Sequence, residues 1–264
     1  MCSETTGIVS AADATRAASL AYWTGRADEY SELHEAEFAS ERGQAFARLV
    51  GRLPGVVPGA RVLDLGCGSG LVSILAASCG CAVTGVDFSD AMVERAHANA
   101  RAHGVGDATE FVQADVHELP FADETFDAVV TRNVTWVLED VARVYAEVVR
   151  VLRSGGTFAN MDANYGKAFN EADERGEVPA HPTQTLEQLR TRNRIARDLP
   201  ITHAERPLWD LATLWDLGVG HVACYRDLDA LLDAAGAGRD PFDGAFSRAS
   251  SSTKARMFLV FATK

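Results

Sequence analysis

Apolar residues change their spacing several times along this chain, and the changes mark out its elements. From Asp13 to Leu53 they recur at helical intervals, as at Tyr30, Leu33, Phe46, Leu49, Val50 and Leu53. This predicts helix over the stretch, with interruptions at Gly25 and Gly43. Breakers follow at Leu53-Pro54-Gly55 and Pro58-Gly59. Beyond them short apolar runs alternate with amphipathic stretches. The runs predict strands over 61–65, 82–86, 110–113, 128–131 and 157–161. Between them, helices are predicted over 71–78, 91–103 and 141–152, with Ser89 and Asp90 as N-cap residues of the second. Strands this apolar suit a parallel sheet covered on both faces, and the alternation is that of repeated βαβ units.

After Asp162 the pattern lapses. Residues 163 to about 207 are rich in charge and proline, with one helical stretch through Leu186, Leu189 and Ile195. This segment reads as an insertion over the sheet's edge. Order returns with a helix over 209–217, a strand over 219–225, a helix over 228–235 and a strand over 257–262, with a loose loop over 236–254.

Composition narrows the class without changing these elements. A chain of 264 residues can bury one sizeable core, so one elaborated domain is expected. Its 47% hydrophobic and 23% charged residues exclude global disorder and fibrous repeats. A net charge of -12 would repel a phosphate backbone, which argues against nucleic acid as a partner. Met1 to Ser10 lack a basic region followed by an apolar one, and no stretch approaches the roughly 20 apolar residues of a spanning helix. The expectation is a cytoplasmic protein with no membrane partner. Five cysteines, an odd number, argue for reduced thiols. Cys79 and Cys81 are expected to pack at a helix-to-strand turn, and no metal is expected.

The candidate chemistry lies at strand ends. Val62-Leu63-Asp64-Leu65-Gly66-Cys67-Gly68-Ser69-Gly70 is an apolar strand running into three glycines and then a helix, which lets backbone approach a ligand closely. Asp87 ends the next predicted strand, 21 positions after Gly66, the separation that places an acid on a ribose diol. Phe88 follows, where a ring can lie against adenine. Asp115 ends the third strand, placed to accept from an adenine amine. A nicotinamide site is the obvious competitor, but its G-x-G-x-x-G pattern needs glycine at position 71, where Leu71 stands. Asp64 adds negative charge unsuited to a pyrophosphate and suited to the ammonium of a methionine moiety.

At this point the chain resembles the class I S-adenosylmethionine-dependent methyltransferases, above all the small-molecule and quinone group. Val62 to Gly70 resembles the first motif and Val83 to Ser89 the acidic motif. Asp115-Val116-His117-Glu118-Leu119-Pro120-Phe121 is similar to the third-strand motif, Phe126 to Val130 to the fourth strand, and Leu152 to Phe158 to the turn into the fifth. The resemblance covers roughly residues 61–161. It implies a three-layer, Rossmann-like α/β fold with a seven-stranded, mostly parallel sheet whose last strand is antiparallel. It divides the single domain into a helical cap (1–55), a core (56–162 and 207–264) and a lid or insertion (163–206). It also implies S-adenosylmethionine as cofactor, held by Tyr30, Asp64, Gly66, Cys67, Gly68, Gly70, Asp87, Phe88, Met92, Asp115, Val116 and Asn133.

Tyr22-Trp23-Thr24-Gly25-Arg26-Ala27-Asp28-Glu29-Tyr30 resembles the family's aromatic cap, whose rings suit a sulfonium cation. Two departures stand out. Arg153-Ser154-Gly155-Gly156 replaces the usual Lys-Pro-Gly-Gly, and Trp136 stands where related enzymes often carry histidine near the methyl. Acceptor-side candidates are Asn133, Trp136, Asp162, Asn164, Tyr165 and His34. His97, His103 and His117 are expected to be structural or solvated, while His34, His181, His203 and His221 stay open as acceptor-facing groups. The implied reaction is in-line methyl transfer to an O, N, S or C nucleophile of a small molecule, by a monomer or homodimer. Because an activated methyl needs chiefly orientation, no catalytic triad is required. The alternatives are a non-catalytic cofactor-binding or partner-binding protein of the same fold, or a protein methyltransferase.

Overall fold

The computed structural model describes residues 11–177, 184–239 and 256–264. The helical start of the chain forms α1 (Ala11–Thr24), α2 (Ala27–Ala39) and α3 (Glu41–Val50). Gly25 does interrupt it, but Gly43 lies inside α3. The second break falls instead at Ser40, whose hydroxyl caps α3 by accepting from the Gly43 amide at 2.9 Å.

The core alternates as the apolar runs predict: β1 (Arg61–Leu65), α4 (Leu71–Ser78), β2 (Ala82–Asp87), α5 (Asp90–Ala102), β3 (Thr109–Gln113), β4 (Phe126–Arg132), α6 (Val141–Val151) and β5 (Leu152–Asp162). Then come α7 (Tyr165–Glu174), α8 (Leu186–Arg197), α9 (Pro200–His203), α10 (Leu208–Asp216), β6 (His221–Tyr225), α11 (Leu228–Gly236) and β7 (Phe258–Thr263). The predicted loop over 236–254 lies mostly outside the described residues. The sheet runs in the order β3-β2-β1-β4-β5-β7-β6, with β7 antiparallel to both neighbours. β5 begins at Leu152, earlier than the glycines at 155 and 156 suggest, and its register against β4 shifts between Phe126 and Ala128.

Burial explains why the strands read as unbroken apolar runs. In β1, Val62 packs into a core with Phe46 and Leu49 of α3 and Leu231 of α11, while its neighbour Leu63 packs on the other face with Val144, Tyr145 and Val148 of α6. Successive strand residues point to opposite faces, so two covered faces demand apolar residues at every position. On α6 the buried residues Val141, Val144, Tyr145, Val148 and Val151 form one stripe. Each such side chain contributes about 1.5–3 kcal/mol when fully buried.

The segment after β5 does not lie over a lateral edge of the sheet. Helices α7, α8 and α9 contact the turn 135–137 that follows β4, and α8 also contacts α1. The insertion and the cap therefore meet above the carboxyl ends of the central strands. Among the described residues, no helix is long and apolar enough to cross a membrane. The thiols of Cys67, Cys79, Cys81 and Cys224 are free, and no group of three or more possible metal ligands converges among these residues.

Candidate functional site

The turn after β1 is built around missing side chains. Gly66 and Gly68 adopt φ values of +69° and +52°, and a Cβ on Gly66 would lie 2.5 Å from Val134. Such backbone is open to glycine at little cost. Gly70, at φ +93°, starts α4 as an N-cap without a side chain. Asp64 supplies the missing acceptor from β1: its Oδ2 takes hydrogen bonds from the Ser73 amide (2.9 Å) and hydroxyl (2.6 Å), satisfying a free donor of the helix's first turn. Asp87 binds the same turn from β2, accepting from the Gly68 amide (2.9 Å) and the Ser89 amide (3.0 Å).

These groups border a cavity of ≈ 250 Å³ at the carboxyl end of the sheet. Twelve residues expected at the site line it: Tyr30 and His34 from α2; Asp64, Gly66, Cys67 and Gly68 from the first turn; Asp87, Phe88 and Met92; Asp115 and Val116; and Asn133. Gly70 does not line it. Its α carbon faces α5, where an added Cβ would lie 3.2 Å from Ala96, so this glycine serves helix packing.

Four acceptor-side candidates also lie off the cavity, each held by protein partners. Trp136 is buried, donates from Nε1 to the Asn133 carbonyl at 2.9 Å, and packs edge-on against Trp23, Tyr165 and Phe169. Asp162 is wholly buried and accepts from the Thr135 hydroxyl (2.5 Å) and the Trp136 amide (3.0 Å), with Arg206 at 3.6 Å. Asn164 caps α7 and donates to the Ala204 carbonyl at 3.1 Å. The Tyr165 hydroxyl donates to Asn133 Oδ1 at 3.2 Å, although its ring does not border the cavity. The polar run after β5 thus builds a joint between insertion and sheet, which sequence alone cannot tell from a substrate surface.

Asp115 is where it was expected but is occupied. Arg16 reaches its Oδ2 at 2.6 Å, and His117 donates to its Oδ1 from backbone (2.9 Å) and from Nδ1 (2.7 Å). His117 itself is buried against the cavity and is not the solvated side chain that was one of its two expected places. The largest omission is the rest of the roof: besides Trp23, expected as part of the aromatic cap, Arg16, Ser19 and Leu20 of α1 line the cavity, with Arg132, Val137, Leu138 and Glu139 from the other side. The 16-19-20-23 spacing is one helical face and was the available signal.

Burial sets the electrostatics. It lifts the Asp87 carboxyl to about 6 against opposing backbone N–H bonds from Ser89, Gly68 and Phe88, and lifts Asp64 to about 7 against the Ser73 bonds. It pushes the Cys67 thiol well up, so this cysteine is no thiolate nucleophile. It lowers His34 to about 4, with nearby Arg132 adding to the effect.

A glycine turn after β1, an acid after β2, and a cavity over a seven-stranded sheet ending in an antiparallel pair define a Rossmann-like α/β fold with its site at the carboxyl ends of the strands. Residues 63–160 match the family described as "Methyltransferase domain". A sterol 24-C-methyltransferase of Gibberella zeae is 36% identical over 124 residues, covering 44% of this chain and 33% of that protein. A 27-O-demethylrifamycin SV methyltransferase of Amycolatopsis mediterranei is 39% identical over 120 residues, 44% of each chain. The chain thus spans between a third and a half of the length of these curated relatives. In fold it is similar to a geranyl diphosphate methyltransferase solved with S-adenosylmethionine: TM-score 0.54 at 22% identity, over 84% of this chain and 85% of that one.

Proposed function

We propose that the protein transfers the methyl group of S-adenosylmethionine to a nucleophile on a small organic molecule. The single observation that carries this reading is the continuity of the cavity, which joins the glycine turn, Asp87 and Asp115 along three successive strand ends under one helical roof. A ligand laid along it places its amino-acid part over Gly66 and Gly68, its ribose on Asp87 and its adenine beside Asp115, Val116 and His117. Trp23 and Tyr30 offer aromatic faces to the sulfonium. The relatives named for sterol and rifamycin substrates support a small-molecule acceptor, as does the surplus of negative charge. No metal enters this reading.

The protein contributes orientation and exclusion of water. The sulfonium is already a good leaving group, and holding the acceptor in line with the sulfur–methyl bond supplies roughly 7–11 kcal/mol of the barrier.

Calorimetric titration with S-adenosylmethionine, S-adenosylhomocysteine and NAD tests the proposal, followed by a screen for S-adenosylhomocysteine release with candidate acceptors. Saturable binding of both adenosyl ligands and none of NAD is expected. NAD binding, or failure to bind either adenosyl ligand, refutes it.

A further inference from the structure

The cavity's polar groups are unevenly placed. The acids Asp64 and Asp87 stand on the strand side, whereas α2 presents Tyr30 and His34 one turn apart, above the glycine turn. Their nearest ring atoms lie 3.9 and 4.0 Å from where a Cβ on Gly68 would be. His34 Nδ1 lies 2.7 Å from the hydroxyl of Ser69, a residue fully shut off from solvent.

That contact fixes the ring's proton. The Ser69 hydroxyl has no other partner among the described residues, so if Nδ1 were the donor, a buried hydroxyl hydrogen would be left unpaired, which folded proteins avoid. The serine therefore donates to Nδ1, and Nε2 carries the ring's hydrogen. Burial and Arg132 keep the imidazole uncharged at neutral pH. Neighbouring charges are already matched: Arg132 forms a two-pronged pair with Glu37 at 2.8 and 3.1 Å. Nε2 has no protein partner among the described residues, on a ring that lines the cavity. Asn133 adds a second donor, because its Oδ1 already accepts from Tyr165 and its amide hydrogens have no protein acceptor among the described residues.

We infer that His34 Nε2–H donates a hydrogen bond to the carboxylate at the amino-acid end of the cofactor, making His34 a cofactor-binding residue and not a base for the acceptor. The inference rests on the proposed use of S-adenosylmethionine. Charge placement orients the ligand in the same sense: a carboxylate is repelled by the ionised Asp87 and meets donors on the α2 side, while the ammonium turns toward the acids. A neutral imidazole whose free edge bears hydrogen cannot accept a proton there, so His34 does not deprotonate the acceptor.

Two ligands separate this role from a structural one. S-adenosylhomocysteine carries the amino-acid end and 5′-methylthioadenosine lacks it. In the full chain, His34→Phe should weaken S-adenosylhomocysteine about tenfold or more and leave 5′-methylthioadenosine within about twofold of wild type. His34→Gln, whose amide can offer N–H near the same place, should recover most of the loss. Equal weakening of both ligands by both variants, or unchanged S-adenosylhomocysteine affinity in His34→Phe, overturns the inference while the cofactor reading stands. Failure of the wild type to bind either ligand overturns the cofactor reading itself.

Discussion

Asp87 illustrates how one residue's setting controls its use. Its carboxylate braces Gly68 and Ser89, yet burial holds its pKa near 6. Only the ionised form accepts two ribose hydroxyls, and that form is populated above this value. Through Asp87, affinity for S-adenosylhomocysteine should therefore fall as pH drops through about 6. Asp87→Asn should weaken binding about tenfold or more and flatten that dependence, which calorimetry across pH 5 to 8 will read directly. Residue types and spacing made this acid, the glycines and Asp115 legible in the sequence. They could not reveal that Asp64 is taken by Ser73, or Asp115 by Arg16 and His117, because those partners are set by three-dimensional packing.

Among the elements, the strands were legible because both faces of the sheet are covered. Of the roof only Trp23 was. Helix α1 also places Arg16, Ser19 and Leu20 over the cavity, and it is tied to the core by contacts visible only in space. Arg16 pairs with Asp115 at 2.6 Å and Glu139 at 2.7 Å, and the Thr24 and Ser89 hydroxyls lie 2.9 Å apart. Exposed ion pairs contribute about 0–1 kcal/mol each and are screened by salt. Release of S-adenosylhomocysteine should accordingly quicken with ionic strength in the wild type. In Arg16→Gln it should be several-fold faster at low salt and nearly insensitive to added salt, as stopped-flow fluorescence would show. The packing of the insertion was less legible for a related reason: Leu189 and Ile195 of α8 are buried, while Leu199 and Ile201 of the next segment join the core on one face of the sheet, which leaves no single period to read.

At the scale of the whole molecule, a sealed polar cluster holds the insertion to the sheet. Arg206, Asp162 and Asp210 have fully buried side chains; Arg206 bonds Asp210 at 2.7 Å and the Thr135 hydroxyl at 2.6 Å, and Tyr145 donates to Asp210 at 2.5 Å. Burial keeps Asp162 above the ordinary carboxylate range even beside Arg206. Removing the one cation strands two carboxylates, so Arg206→Met should cost about 3–5 kcal/mol and lower Tm by several degrees. Thermal unfolding checks this, and an unchanged Tm would show that the cluster is dispensable. Asp162 and Arg206 are 44 positions apart in a stretch without periodicity, which is why their pairing was invisible beforehand.

The antiparallel strand β7 sits between β5 and β6, although β5 ends at Asp162 and β7 starts at Phe258. The order of folding follows from that insertion. Strands β1 to β4 can pair through short crossovers, whereas β6 has no neighbour in the sheet until a segment almost a hundred positions beyond β5 has threaded between them. Long-range closure of this kind is slow relative to local pairing. In pulsed hydrogen exchange during refolding, amides of β1, β2 and β4 should be protected first and those of β6 and β7 last, leaving a transient species with β5 as an unprotected apolar edge.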